Sequence, residues 1–132
     1  GVVWLGIDAG LNRFDGEQNQ QVLCTNNAFD SSPINYLFQD SKRNLWVSDS
    51  IKGVHQYNLR TNAVKHVINL KLKRDDQLTQ EANFISEDQE GNILFSMREG
   101  VYSYSYITDE LSAEYLLPDE MIDNGNYIRA VF

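Results

Sequence analysis

The chain has 132 residues, 42% of them apolar and 23% charged, which suits one domain with an ordinary hydrophobic core and does not suit a disordered segment. A formal charge of -8 argues against a phosphate-backbone partner, since nucleic-acid binding draws on clustered Lys and Arg. Cys24 is the single cysteine, which excludes an intrachain disulfide and a Cys-based metal site, and no apolar run approaches the roughly 18 residues that cross a bilayer.

In chain order, the first elements are short strands at Val2 to Leu5, Leu11 to Phe14 and about Gln21 to Thr25. Pro33 then opens an apolar run from Ile34 to Asp40, and Asp40-Ser41-Lys42-Arg43-Asn44 closes it with turn chemistry. Leu45-Trp46-Val47 is apolar without alternation, as expected of a strand covered on both faces. Gly53 opens a third strand, Val54 to Leu59, in which His55, Tyr57 and Leu59 share a face. Leu59-Arg60-Thr61-Asn62 is a turn, and Ala63 to Asn69 is an outer strand with the weaker pattern edges tolerate.

Leu70 to Glu81 reads as a loop, and its basic cluster Lys71, Lys73 and Arg74 is followed at once by Asp75 and Asp76, as in a solvated segment. The four-strand pattern then returns. A first strand near Phe84 leads into the turn Asp88-Gln89-Glu90-Gly91-Asn92, a second strand Ile93-Leu94-Phe95, a third from Val101 to Tyr106, and a fourth at about Leu111 to Leu117. No segment sustains a helical period.

The pattern is a repeat. Asp40, Asn44, Leu45 and Trp46 recur 48 residues later as Asp88, Asn92, Ile93 and Leu94. Trp4, Gly10, Leu11 and Phe14 correspond to Trp46, Gly53, Val54 and Tyr57, and then to Leu94, Gly100, Val101 and Tyr104. A period of this length is the mark of a repeat architecture. The expected fold is all-β, a partial β-propeller with about two complete four-stranded antiparallel blades and flanking partial blades. The units run 1–33, 34–81, 82–127 and, as the start of another copy, 128–132. Gly10, Gly53 and Gly100 are expected to supply positive φ or close backbone approach, and Trp4, Trp46 and Leu94 to fill the space between blades.

These motifs resemble the two-component regulator propeller repeat, whose unit runs strand, Asp, Gly-Asn, apolar-Trp, a short loop, Gly-apolar and an aromatic three residues on. Asp40, Asn44, Leu45, Trp46, Gly53, Val54 and Tyr57 follow it, as do Asp88, Gly91, Asn92, Ile93, Gly100, Val101 and Tyr104. Arg43 departs from the turn Gly and Leu94 from the Trp. The resemblance implies the periplasmic sensor region of a bacterial hybrid two-component regulator, anchored to the membrane through other parts of its polypeptide. Those other parts would carry the histidine kinase, receiver and DNA-binding functions. A closed propeller needs about four to eight blades. The expected partners are therefore the remaining blades of the receptor, with self-association when they are missing, and an oligosaccharide as a possible ligand.

Chemistry leaves few marks. His55 and His66 lack a metal-binding spacing, and the Ser86-Glu87-Asp88 to Gly91 stretch differs from an aspartate box by one position and reads as a hairpin turn. No catalytic residue, metal or cofactor is expected, with a propeller scaffold for protein assembly as the second reading and a propeller lyase or hydrolase as the third. Tyr102, Tyr104 and Tyr106 form an aromatic stripe that packs between blades, with Tyr106 nearest solvent. Ligand or partner contacts are expected in the loops joining second to third strands, at Asp8, Asp49, Lys52, Arg98 and Glu99, and at Tyr106. The fourth-to-first loops, about Asn26 to Pro33, Asn69 to Glu81 and Pro118 to Asn126, gather at the same end.

Overall fold

A computed structural model describes residues 1–22, 29, 33–51, 53–68, 82–123 and 128. Lys52, the Leu70–Glu81 loop with its basic cluster, and most of the other two fourth-to-first loops lie outside the described residues, as does all of the last copy except Ile128.

The described chain is all-β apart from one short helix. Strands β1 (Val3–Ile7), β2 (Gly10–Phe14) and β3 (Asn19–Gln21) form a three-stranded antiparallel sheet. Strands β4 (Ile34–Gln39), β5 (Asn44–Asp49), β6 (Gly53–Asn58) and β7 (Val64–Ile68) form the second sheet, in sequence order. Strands β8 (Ala82–Glu87), β9 (Ile93–Met97), β10 (Gly100–Ser105) and β11 (Glu110–Leu116) form the third. The sheets do not close into a barrel.

Several strands run longer than their patterns predict. β5 extends to Asp49 because Asp49 still pairs with Gly53 across the hairpin, and β9 extends to Met97. The first sheet's outer strand begins earlier than expected, at Asn19, paired to Phe14. Helix α1 (Asp119–Asp123) is the element the helical periodicity missed, because five residues carry no period. Its signal was local: Pro118 followed by Asp119 and Glu120, acids that suit the positive end of a helix.

Two apolar layers separate the three sheets. Leu11, Leu45, Val47, Tyr57 and Phe29 form the layer between the first and second sheets, with Trp4 packed edge-on to Tyr57 at 6.1 Å. Trp46, Val54, Ile85, Ile93, Phe95, Met97, Tyr102 and Tyr104 form the layer between the second and third. Neighbouring residues of β5 therefore serve opposite layers, and all six of its residues are buried. This explains the unbroken apolar run at Leu45-Trp46-Val47. Trp46 is fully buried, its ring 5.4 Å from that of Phe95 and 5.3 Å from that of Tyr104. Burying a ring of this size contributes about 4–6 kcal/mol. The opposite face of the first sheet is bare: Val3, Leu5 and Ile7, which alternate with Trp4, are exposed.

The glycines do what the repeat requires by two routes. Gly10 and Gly53 have φ of 124° and 103°, in the left-handed half of the map. Gly100 works by close approach, since a Cβ there would stand 2.7 Å from the Tyr115 carbonyl oxygen.

The first strands of the second and third sheets each reach the following copy in the same way. Asn35 Nδ2 donates to the Ala82 carbonyl at 2.8 Å, and Asn83 Nδ2 donates to the Ile128 carbonyl at 2.8 Å. Each asparagine is the second residue of its strand and reaches the start of the next copy. Ser48 adds to the first junction, its hydroxyl accepting from the Ala82 amide at 2.8 Å.

Candidate functional site

The most elaborate polar arrangement grows from the turn after β4. Asp40 Oδ1 accepts the backbone N–H groups of Lys42 and Asn44, both at 2.9 Å, folding the turn around its own carboxylate. Asp40 is 5% exposed, and its second oxygen points into the layer between the second and third sheets. There it accepts from Trp46 Nε1 at 2.8 Å and from the Tyr106 hydroxyl. The same hydroxyl accepts from Asn44 Nδ2 at 2.8 Å and from Gln56 Nε2 at 3.0 Å. Burial, and then the bond to Asp40, push the Tyr106 hydroxyl well above the usual phenol range. The hydroxyl thus stays protonated at physiological pH and ties the two sheets together. Lys42 Nζ lies 4.3 Å from the centre of the Tyr106 ring.

The expected loop residues separate into two groups. Asp8 is exposed in the β1–β2 turn. Asp49 is fully buried at the end of β5, where Oδ1 accepts from the Ile51 amide at 2.8 Å and Oδ2 lies 3.2 Å from His55 Nε2. It is a brace inside the hairpin rather than an accessible loop group, because the strand continues one turn further than its apolar run. Arg98 and Glu99 form the β9–β10 turn as expected, with Arg98 half-buried.

Glu99 is 4% exposed, and among the described residues neither carboxylate oxygen has a hydrogen-bond partner. Burial raises its pKa, against a smaller lowering by Arg98. Burial and then the charge of Glu99 push the Tyr102 hydroxyl up to about 12.

Tyr106 does not join these loops. It follows β10 and lies at the opposite end of the sheet from the β9–β10 turn, beside Asp40 and Asn44. It is the least buried of its stripe, as expected, yet its hydroxyl is committed to the second sheet.

The histidines are closer than their separation in sequence suggested. His55 pairs with His66 across β6 and β7, and their rings stack at 4.8 Å and 26°. Phe29 meets His55 edge-on at 5.6 Å. Among the described residues no group of three or more His, Cys, Asp or Glu is arranged to hold a metal ion, and no helix is long and apolar enough to cross a membrane.

No family model matches the chain, and no curated protein matches it. Solved structures do. One is the extracellular domain of a protein assigned as the hybrid two-component system BT3049 from B. thetaiotaomicron, with a TM-score of 0.67 at 16% identity. That match covers 88% of this chain and 17% of that one. A second is the extracellular domain of a protein assigned as the one-component system BT4673 from B. thetaiotaomicron, with a TM-score of 0.71 at 14% identity, covering 88% of this chain and 16% of the other. The chain therefore spans about a sixth of the length of these extracellular-domain chains and shares its fold with part of them.

Proposed function

We propose that this chain is a set of β-propeller blades from the extracytoplasmic, periplasmic sensor region of a membrane-anchored signalling receptor, and that it works without catalysis. The observation that carries this reading is the repeated junction between sheets. The second and third sheets keep the same sequential strand order, the three sheets bury faces on one another in succession, and β4 and β8 each reach the start of the next copy through Asn35 or Asn83. Blades fanned about an axis satisfy those contacts, and the fold shared with extracellular domains of signalling systems supports the location and role. The bare row Val3, Leu5 and Ile7 is the face on which a preceding blade packs. On this reading histidine kinase activity belongs to the parent polypeptide.

Sensing of an oligosaccharide is the finer part of the proposal. The test is a panel of oligosaccharides added to the intact extracytoplasmic region, read by melting temperature, together with reporter output from the full receptor. A glycan that raises the melting temperature and switches the reporter supports it. Unaltered signalling from a receptor lacking residues 34–123 would remove it. The exposed row on β1 also favours a scaffold reading, in which the parent binds a protein rather than a glycan. Reporter output that follows a protein partner and ignores every glycan would favour that alternative.

A further inference from the structure

A cavity of about 540 Å³ opens at the end of the second sheet where Asn44 pairs with Asn58, the end opposite the Asp49 hairpin. It is lined by Gln39, Lys42, Arg43, Asn44, Asn58 and Arg60, with Leu59 as its apolar wall. In a molecule of net charge -8 with 11 basic residues, three of them line this one cavity, and among the described residues no acid does. We infer that this cavity binds a small ligand carrying two or more oxyanion groups of the carboxylate or sulfate type.

Four observations support the assignment. Among the described residues, Lys42, Arg43 and Arg60 enter no ion pair, so no carboxylate neutralises them, and Lys42 meets only the face of the Tyr106 ring. Two acids beside the turn are already engaged: Asp40 takes two donors from its own turn and two within the sheet interface, and Glu87 accepts from the Ser41 amide at 2.8 Å and its hydroxyl at 2.6 Å.

The cations ride on braced turns. Asp40 holds the turn bearing Lys42 and Arg43, and Asn58 Oδ1 accepts the Arg60 and Thr61 amides at 2.9 and 3.1 Å. Their backbones are thus positioned before a ligand arrives, which lowers the ordering cost of binding. Two guanidiniums and an ammonium, with the amides of Gln39 and Asn58 beside them, suit planar carboxylates or sulfates. A cavity of this size accommodates a ligand of several rings or branches.

Arg43 also sits where an arginine is conformationally costly. Its φ is 63°, in the left-handed region, at the turn position that Gly91 fills with φ of 85° in the third sheet. Strain kept at one position, where the repeat elsewhere uses glycine, points to a role for the side chain.

The third sheet provides an internal control. There the positions of Lys42, Arg43 and Arg60 are held by Glu90, Gly91 and Ile107. The same turns recur while the positive charge is replaced by an acid, a glycine and an apolar group. Oxyanion recognition is therefore a property of the second unit rather than of the repeat.

Isothermal titration calorimetry on the full chain tests this, with citrate and trigalacturonate as probes and maltotriose as the neutral control. At least one anion is expected to saturate a single site that weakens with added salt, and maltotriose is expected to give no heat. Arg43→Gly should weaken that site about tenfold or more while leaving the melting temperature equal or higher, because strain is relieved as a charged donor is lost. Lys42→Glu combined with Arg60→Ile, the residues of the third sheet, should abolish it. Absence of saturable binding below about 10 mM for both anions, or binding unchanged in either variant, overturns the assignment. Because binding is read directly on the protein, this result is separable from any outcome of the glycan and reporter test.

Discussion

The turns after β4 and β8 have the same backbone and different reach. In each, the leading aspartate accepts two amides through Oδ1, from Lys42 and Asn44 in one and from Glu90 and Asn92 in the other, all at 2.9 Å. The second oxygen separates them. In Asp40 it enters the packed layer and serves Trp46 and Tyr106, whereas in Asp88 its partner among the described residues is the side chain of Asn92 at 3.1 Å. Part of the difference follows from Leu94 in place of Trp46, which removes the indole donor, and part from Tyr106, which the neighbouring third sheet brings to Asp40. Local turn geometry is thus encoded in the repeat, while the linkage to a neighbouring sheet is encoded by the residues that vary within it.

The comparison is broken most readily at the tryptophan. Trp46→Leu, which installs the residue of the third sheet, should cost about 3 kcal/mol or more in denaturant unfolding, through a cavity and the loss of one of the two donors to the buried Asp40 oxygen. Leu94→Ala, at a half-buried position, should cost about 1 kcal/mol. Equal losses would mean that the two positions carry the same weight after all.

Asp40→Asn places an amide against two donors and should cost about 2–3 kcal/mol, against about 1 kcal/mol or less for Asp88→Asn. Glu99 sharpens the comparison from within the third sheet. Its pKa is raised in the fold, so the folded state binds more protons, and its destabilising effect is complete above that raised value and absent below the ordinary 4.5. Glu99→Gln should therefore gain about 1 kcal/mol at pH 7 and lose that gain as pH falls from the raised value to 4.5, measured by melting at a series of pH values.

Gly91→Ala tests the left-handed position directly. A Cβ there meets nothing nearer than Lys42 Nζ at 3.7 Å, so a loss of about 1 kcal/mol would report backbone strain alone. The smallest effect is expected for Lys65→Met, which breaks the exposed bridge to Asp109 at 2.5 Å. Its influence on melting should disappear at high salt.

What could be read from the residues follows the range of the interaction. The turn at Asp40–Asn44, the glycines before the third strands and the doubly covered β5 were legible because each is set within a few positions. Tyr106 was placed among the ligand loops because its partner Asp40 lies 66 residues away and only the packing of two sheets brings them together. Asp49 looked like a loop residue because the end of β5 is fixed by its pairing with Gly53, and neither residue carries an apolar signal. The cationic cavity escaped notice for a similar reason, since residues 39–44 and 58–60 meet through the hairpin register that opposes Asn44 and Asn58. The burial of Glu99 left no trace in its neighbours.

The asparagine rungs at Asn35 and Asn83 have a mechanical consequence. They fasten β4 to β8 and β8 to Ile128, whereas the opposite edges of the second and third sheets meet through the solvent-exposed Lys65 and Asp109. Resistance to distortion is therefore greatest along the spine and least at the rim, so the assembly opens like the pages of a book, splaying outward while its binding holds.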